Sequence, residues 1–165
     1  MTDPLLNELY QEAATTRRVL ERVPGDKLEW RPHPKSMSLG QLAMHVANIP
    51  GNISRLVQAD EFDASQANFT PPTPGSLDEI LNAHDASLRV AQDYLGDVDE
   101  QTALESWRLT LNGKEVFSAP RGGVIRSLML NHWYHHRGQL SVYLRLLEVP
   151  VPVIYGRSAD ENPFA

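Results

Sequence analysis

The sequence predicts an all-α fold, a four-helix bundle, and two observations lead to this prediction. Four long stretches repeat apolar residues at spacings of three and four, the period of an amphipathic helix. The continuous apolar runs typical of parallel strands are missing between these stretches. A chain of 165 residues is long enough for one hydrophobic core and short for two. We therefore expect residues 1–165 to form a single domain.

The first helix is predicted to begin at Asp3 and Pro4 and to end at Pro24 and Gly25. An aspartate side chain accepts hydrogen bonds from the free N–H groups of a helix start, and proline is favoured at the first helical position. Proline followed by glycine ends the helical pattern. Residues 26–37, which contain two prolines, are predicted to be a linker.

The second helix is predicted to follow Ser38, because Ser38 and Gln41 have the spacing of a capping box. Its buried stripe of apolar residues extends to Leu56. Pro50 and Gly51 lie inside this stripe. Since proline removes one backbone hydrogen bond of a helix, we expect a kink or a break there.

A long loop is predicted for residues 60–75, which are rich in proline, aspartate and serine. Ser76 has the capping-box spacing to Glu79 and opens the third predicted helix. Gly96 is the predicted C-cap of that helix, because glycine tolerates the left-handed conformation common at helix ends.

The last third of the chain predicts a small hairpin and then the fourth helix. An Asn-Gly dipeptide between β-prone runs is typical of a tight turn, so we expect a β-hairpin near residues 108–118. The fourth helix is predicted to begin at Arg121 or Gly123 and to end at Glu148, because two prolines follow shortly after.

Charge and composition argue against several classes of function. The net charge is -6 and no basic block is present, whereas nucleic-acid binding requires a positive face; we expect no nucleic-acid partner. No apolar run has the length of a membrane span, and the N-terminus lacks the pattern of a signal peptide. We therefore expect no membrane partner and a cytoplasmic location. Cysteine is absent, which excludes disulfides, thiolate ligands and a cysteine nucleophile.

The stretch NHWYHHRGQL, residues 131–140, places three histidines on the fourth helix. With His132 at zero and about 100° per residue, the apolar side chains of this helix lie roughly between -40° and +80°. His136 lies at about +40° on the same wheel, so both histidines are predicted to face the core. His135, near about -60°, lies at the flank, and Arg137, near about +140°, lies outside the apolar arc.

His45 lies in the apolar stripe of the second helix, so three imidazoles from two facing helices can converge in the interior. Three histidines satisfied separately by core hydrogen bonds are the alternative, but buried imidazoles without partners are costly and a shared metal ion removes that cost. Three imidazoles with an open coordination position suit zinc, nickel, iron or manganese. Gln139, near about -20° on the wheel, is a candidate to fix the tautomer of one imidazole.

Other polar residues have structural interpretations. His33 lies between two prolines of the linker and is expected to be exposed. His84 lies near the apolar face of the third helix and is expected to be a core histidine bonded to a neighbour. Arg137 is expected to pair with an acidic residue, because arginine is seldom buried without a partner.

The sequence resembles the DinB-like (DinB/YfiT-like) superfamily. The similarity lies in LGQLAMHVAN around His45, in NHWYHHRGQL with its HxxxHRGQ core, in WRPHPKSMSLGQL, and in VYLRLLEVPVPVIYGRSADE near the C-terminus. The resemblance implies an up-down-down-up four-helix bundle that often forms a homodimer. It also implies a divalent metal ion held by His45, His132 and His136. We expect zinc or nickel first, and iron or manganese after them. His135 is not at a ligand position of that pattern and stays a secondary candidate.

Some proteins of this superfamily transfer low-molecular-weight thiols, so the resemblance implies a metal-dependent transferase or hydrolase with a small-molecule substrate. A three-histidine metal with an open position could lower the pKa of a bound water or thiol. No separate general base is identifiable, and the catalytic residues stay unknown. Two alternatives remain: a non-catalytic metal- or ligand-binding stress-response protein, and a structural bundle without metal.

Overall fold

Helices form most of the protein, whose computed structural model describes residues 2–164 apart from the side chains of Thr2, Asp3 and Gln66. A π-helical segment, Ile125–Asn131, joins the last two helices without interruption, and short 3₁₀ turns occur at Gly25–Lys27 and Ala64–Gln66. In chain order the α-helices are α1 (Thr2–Leu20), α2 (Leu39–Leu56), α3 (Leu77–Asp97), α4 (Glu100–Leu104), α5 (Arg121–Val124) and α6 (His132–Leu146).

Two of the predicted capping residues, Ser38 and Ser76, cap the starts of α2 and α3. At the start of α2, the Ser38 hydroxyl accepts from the Gln41 N–H and the Gln41 side chain accepts from the Ser38 N–H, so both bonds of the capping box form. At the start of α3, the Ser76 hydroxyl accepts from the Glu79 N–H, while the Glu79 carboxylate accepts from Gly75 instead. The predicted cap by Asp3 falls on a side chain outside the described part of the chain.

Two helix features differ from their predictions. The helix α2 continues through Pro50 as far as Leu56, so the chain does not break there, and of the two expected outcomes the kink stays a prediction. The helix α3 ends at Asp97, and Gly96 lies within it rather than at its C-cap. Gly51 has a packing role, because a Cβ there would lie 2.9 Å from the Ser87 Cα of α3.

The predicted hairpin is present and belongs to a small sheet. Its strands are β2 (Ser106–Leu111) and β3 (Lys114–Pro120), and the turn residues Asn112 and Gly113 have φ of 51° and 73°. Within the described residues a third strand, β1 (Glu61–Asp63), pairs in parallel with β2. The segment predicted to be only a loop therefore contributes a strand, and the fold is mostly helical with a sheet rather than purely helical.

The core lies between the long helices. The helix α3 packs on α1 and α2, and α6 packs on α1 and α2. Trp107 of β2 and Trp133 of α6 are the two largest fully buried side chains. None of the described helices has both the length and the apolar character needed to cross a membrane.

The π-helical segment changes which face of α6 is buried. The backbone hydrogen bonds of a π-helix join residues i and i+5, so each turn holds more residues than a turn of an α-helix. A helical wheel drawn at one fixed angle therefore assigns residues before and after this segment to the wrong relative faces. The buried side chains of α6 are Trp133, Arg137, Leu140 and Leu144. The prediction that Arg137 lies outside the buried arc is therefore wrong, and His132 and His136 are half-buried at the edge of the core instead of at its centre.

Candidate metal centre

Three histidines from two helices meet at one point. His45 lies on α2, and His132 and His136 lie one turn apart on α6. Their ligand nitrogens all lie within 4.8 Å of one another. The His132 Nε2 is 3.4 Å from that of His45 and 2.8 Å from that of His136. The structure thus brings together all three histidines that the sequence singles out.

A buried tryptophan holds α2 and α6 in the register that this cluster needs. The Trp133 Nε1–H donates to the Val46 carbonyl at 2.9 Å. Trp133 follows His132 in the chain and Val46 follows His45, so this bond joins the two helices directly beside the histidines. Nothing in the sequence pattern signals the bond, because it joins residues far apart in the chain.

The outer nitrogens of the two α6 histidines have oxygen neighbours. The His132 Nδ1 lies 3.3 Å from the Leu128 carbonyl, and the His136 Nδ1 lies 2.7 Å from the Gln139 Oε1. A carbonyl or amide oxygen accepts, so each Nδ1 carries the proton and each Nε2 keeps a lone pair. Gln139 makes the contact with an imidazole that was expected of it, although its side chain is exposed and does not lie within the predicted buried arc.

This arrangement fits a metal ion. Two Nε2 lone pairs that point at each other across 2.8 Å repel unless a cation or a shared proton lies between them. Imidazole nitrogens are ligands that zinc, nickel and iron accept, and a histidine ligand normally donates its other N–H to an oxygen. The donor set and its outer hydrogen bonds therefore match what a three-histidine site requires.

Burial keeps the cluster neutral. Desolvation lowers the pKa of His45 to about 4, and the neighbouring His136 and His132 add to that effect. Desolvation also lowers the pKa of His132 and of His136, although the oxygens at their Nδ1 atoms act in the opposite direction. At neutral pH the three nitrogens are therefore free to accept a cation rather than a proton.

The remaining histidines are not members of this cluster. His135 is exposed on α6, with its ring 4.9 Å from that of His136, and it is not part of the group of converging nitrogens. His33 is exposed in the linker, as expected. His84 is fully buried, as expected, but among residues 2–164 its ring nitrogens have no hydrogen bond of normal geometry.

Arg137 has the acidic partner that the sequence analysis expects. Its guanidinium lies 2.5 Å from the Glu12 carboxylate and donates to the Thr16 hydroxyl and to the Tyr155 hydroxyl. The rings of Tyr134 and Tyr155 lie about 5 Å from its central carbon. This cluster ties α6 to α1 and to the C-terminal segment, and its members are not among the residues that line the apolar pocket described next.

A pocket opens beside the histidines. It has a volume of about 410 Å³, and His45 and His132 form part of its wall. Its other walls come from α2, the sheet, the π-helical segment and the loop that contains Phe69. Sequence reasoning did not place this pocket, because its walls join segments that come together only through the parallel pairing of β1 with β2.

A comparison with protein families shows to which family this chain is related. The model of the DinB family matches residues 1–162. The chain belongs to the DinB family. The resemblance seen in the histidine motifs is thereby confirmed over almost the whole chain.

One relative and two solved structures are similar to this chain. The chain is 28% identical over 160 residues to the uncharacterised protein YrdA of Bacillus subtilis, covering 96% of this chain and 90% of that protein. A DinB-like protein from Bacillus cereus has a similar fold, with a TM-score of 0.69, 21% identity, and coverage of 91% of this chain and 95% of that one. The DinB-like protein YjoA from Bacillus subtilis gives a TM-score of 0.72 at 15% identity, covering 94% and 99%. The fold is therefore DinB-like.

Proposed function

We propose that this protein is a metal-dependent enzyme that acts on a small molecule, as a transferase of thiols or as a hydrolase. The observation that carries the proposal is the convergence of three imidazole nitrogens at the wall of a pocket. Catalytic metal sites differ from structural ones in keeping a coordination position open to substrate. Three protein ligands beside a cavity meet that description.

His45, His132 and His136 would hold the ion through Nε2. Zinc and nickel are the first candidates, followed by iron and manganese. When bound, the ion supplies a Lewis acid that lowers the pKa of a coordinated water or thiol. The Leu128 carbonyl and the Gln139 side chain accept from the Nδ1 atoms and so orient the rings. The apolar walls of the pocket exclude water from the substrate.

The proposal extends to the organisation of the chain. We propose a single domain in which the long helices and the last helical stretch form an up-down-down-up four-helix bundle. The packing of α3 and α6 on both α1 and α2 supports this arrangement. The family resemblance supports a homodimer. The acidic net charge of -6 supports a small-molecule substrate rather than a nucleic-acid partner, and the cytoplasm is the proposed location.

One observation favours a second candidate, a non-catalytic protein that binds a metal or a small ligand. Among the described residues that line the pocket, none except the histidines has an ionisable side chain. A reaction there would have to move its proton through the metal-bound group itself or through solvent. A binding protein needs no such group.

The first experiment measures metal content by plasma mass spectrometry on untagged protein. Wild type is expected to carry close to one divalent ion per chain, and His136→Ala little or none. His135→Ala is the matched control, because it removes a neighbouring imidazole that does not point into the cluster, and it should keep its metal. Equal metal content in all three proteins, or no metal after refilling with divalent ions, would overturn the proposal.

A second experiment separates enzyme from binding protein. Metal-loaded wild type is incubated with low-molecular-weight thiols and a panel of electrophiles, and products are followed by mass spectrometry. Turnover that disappears in His136→Ala supports the enzyme. Bound metal without turnover of any compound supports the non-catalytic alternative.

A further inference from the structure

The walls of the pocket beside the histidines are almost wholly apolar. From α2 come Ile49, Ile53 and Leu56, from the sheet Phe62 and Trp107, and from the π-helical segment Leu128. A volume of about 410 Å³ lies within the range of sites that enclose small organic molecules. The cavity is therefore large enough for the body of a substrate rather than for water alone.

Formal charge is missing from this lining. Among the residues that the structure describes, no lysine, arginine, aspartate or glutamate lines the pocket, and its polar members besides the histidines are Asn52, Asn68 and Thr70. A charged ligand loses its hydration on entering such a cavity and gains no ion pair in return. The lining thus discriminates against carboxylates, phosphates and ammonium groups on the part of the ligand that it encloses.

Phe69 marks the mouth of the pocket. It belongs to the loop between the 3₁₀ turn Ala64–Gln66 and α3, lines the cavity, and is still 71% exposed. A large apolar side chain in that position gains burial when a ligand fills the space below it. Burial of a phenylalanine side chain stabilises a complex, because it removes apolar surface from water. Pro71 and Pro72, which follow and also line the pocket, restrict the backbone of the loop.

We propose that the pocket binds the uncharged, apolar body of a small organic substrate, of the size of one or two rings, and that Phe69 is a specificity contact for it. This inference rests on the proposed function for its role in catalysis, because the reacting group of the substrate would face the wall formed by His45 and His132. The enclosed body is selected by shape and by the absence of charge. Polar atoms of the substrate are confined to its two ends, at the histidines and at the rim.

The test uses three probes of equal ring size: 2-naphthalenemethanol, 2-naphthoate and 2-naphthylmethylammonium. Their binding to the full chain is measured by isothermal titration calorimetry after dialysis against a chelator, so that attraction of an anion to a bound metal does not contribute. The neutral probe is expected to bind at least about tenfold more tightly than either charged probe. Tighter or equal binding of the naphthoate would overturn the proposal and would point to Arg55, which donates to the rim residue Asn52.

Two variants test the role of Phe69. Phe69→Ala is expected to weaken binding of the neutral probe about tenfold, since it removes the apolar surface that the ligand covers. Phe164→Ala is the matched control, because Phe164 is 85% exposed and does not line the pocket; it should bind the probe like wild type. Equal affinities of the Phe69→Ala and wild-type proteins would contradict the assignment of Phe69.

The result of the probe-binding experiment does not depend on the result of the metal-content experiment. The His136→Ala protein keeps every residue that lines the pocket, so it should bind the neutral probe like chelator-treated wild type. Probe binding without any metal content would reject the proposed enzyme and keep the apolar site. Metal content without preference for the neutral probe would keep the metal site and reject the present inference.

Discussion

Two polar clusters on α6 begin at adjacent residues and have opposite character. On one side, His136 joins His132 and His45 in a group of like donors whose nitrogens point at one another. On the other side, Arg137 is 1% exposed and is paired with Glu12, Thr16 and Tyr155. The second cluster satisfies itself within the chain. The first needs a cation or a shared proton between its nitrogens, and its members His45 and His132 line the pocket, whereas no residue named for the second does.

The two clusters show how the surroundings of a structural charge differ from those of a candidate ligand site on the same helix. A buried arginine with a carboxylate and two hydroxyl oxygens around it has every reason to be structural. Converging imidazole lone pairs have no such internal explanation. The HR pair in NHWYHHRGQL therefore joins two roles at consecutive positions of α6, the proposed metal ligand His136 and the structural anchor Arg137.

The largest effect is expected from the structural cluster. Arg137→Met leaves the Glu12 carboxylate, which is 15% exposed, without its ion-pair partner. The free energy of unfolding should fall by about 3 kcal/mol, because removal of one member of a buried pair strands the other. Urea unfolding followed by circular dichroism measures the loss.

Arg108→Ala is the control for this prediction, because its ion pair with Glu61 is half-exposed and its removal should cost less than about 1 kcal/mol. The folded fraction of Arg137→Met should still bind one metal ion. If Arg137→Met lost its metal but kept its stability, Arg137 would belong to the metal site and not to a separate structural cluster.

A second prediction concerns His84, which is buried against Trp133 and shares neither cluster. Burial lowers its pKa from 6.5 to about 4, although the backbone carbonyls of Ala13 and Ala47 nearby act in the opposite direction. The folded state binds this proton more weakly than the unfolded state. The contribution of neutral His84 to the free energy of unfolding is therefore complete above pH 6.5 and is lost as the pH falls toward 4.

Between pH 6.5 and about 4, protonation of His84 should lower the free energy of unfolding by about 3 kcal/mol. Urea unfolding at several pH values compares wild type with His84→Leu, both freed of metal, so that the titration of the three clustered histidines is common to the two proteins. The stability of His84→Leu should fall less steeply with acid. Parallel pH profiles for the two proteins would assign the acid sensitivity to other groups.

The smallest effect is expected at Gln139, which accepts from the His136 Nδ1. Gln139→Ala should weaken metal affinity about tenfold, because outer hydrogen bonds orient a ligand imidazole and raise its basicity. Gln139→Glu keeps an acceptor there and should retain the affinity. Competition with a chromophoric chelator measures both variants, and Gln11→Ala, exposed on α1, is the control. Equal affinities for Gln139→Ala and wild type would remove Gln139 from the site.

Local signals in the sequence account for much of this fold. Two of the three predicted N-caps, Ser38 and Ser76, are confirmed, because a hydroxyl that accepts from the N–H three residues later needs no tertiary contact. The hairpin turn at Asn112 and Gly113 is equally local. The three histidines were identifiable because their spacing places them on predicted helix faces, and the family motifs indicate the same residues.

The features that sequence reasoning missed depend on contacts between distant segments. The strand β1 exists through its pairing with β2, and the pocket exists through that pairing and the loop before α3. The burial of Arg137 was mispredicted because a uniform helical angle does not hold across the π-helical segment Ile125–Asn131. Such a segment has no simple sequence signature, and it lies directly before His132.

The most direct measurement of the central claim is anomalous diffraction at the zinc edge from crystals of the zinc-loaded protein. The account predicts one strong peak at about 2.0–2.1 Å from the Nε2 atoms of His45, His132 and His136 together. A peak bound elsewhere, or none at a cluster whose imidazoles hydrogen-bond only to one another, would contradict it.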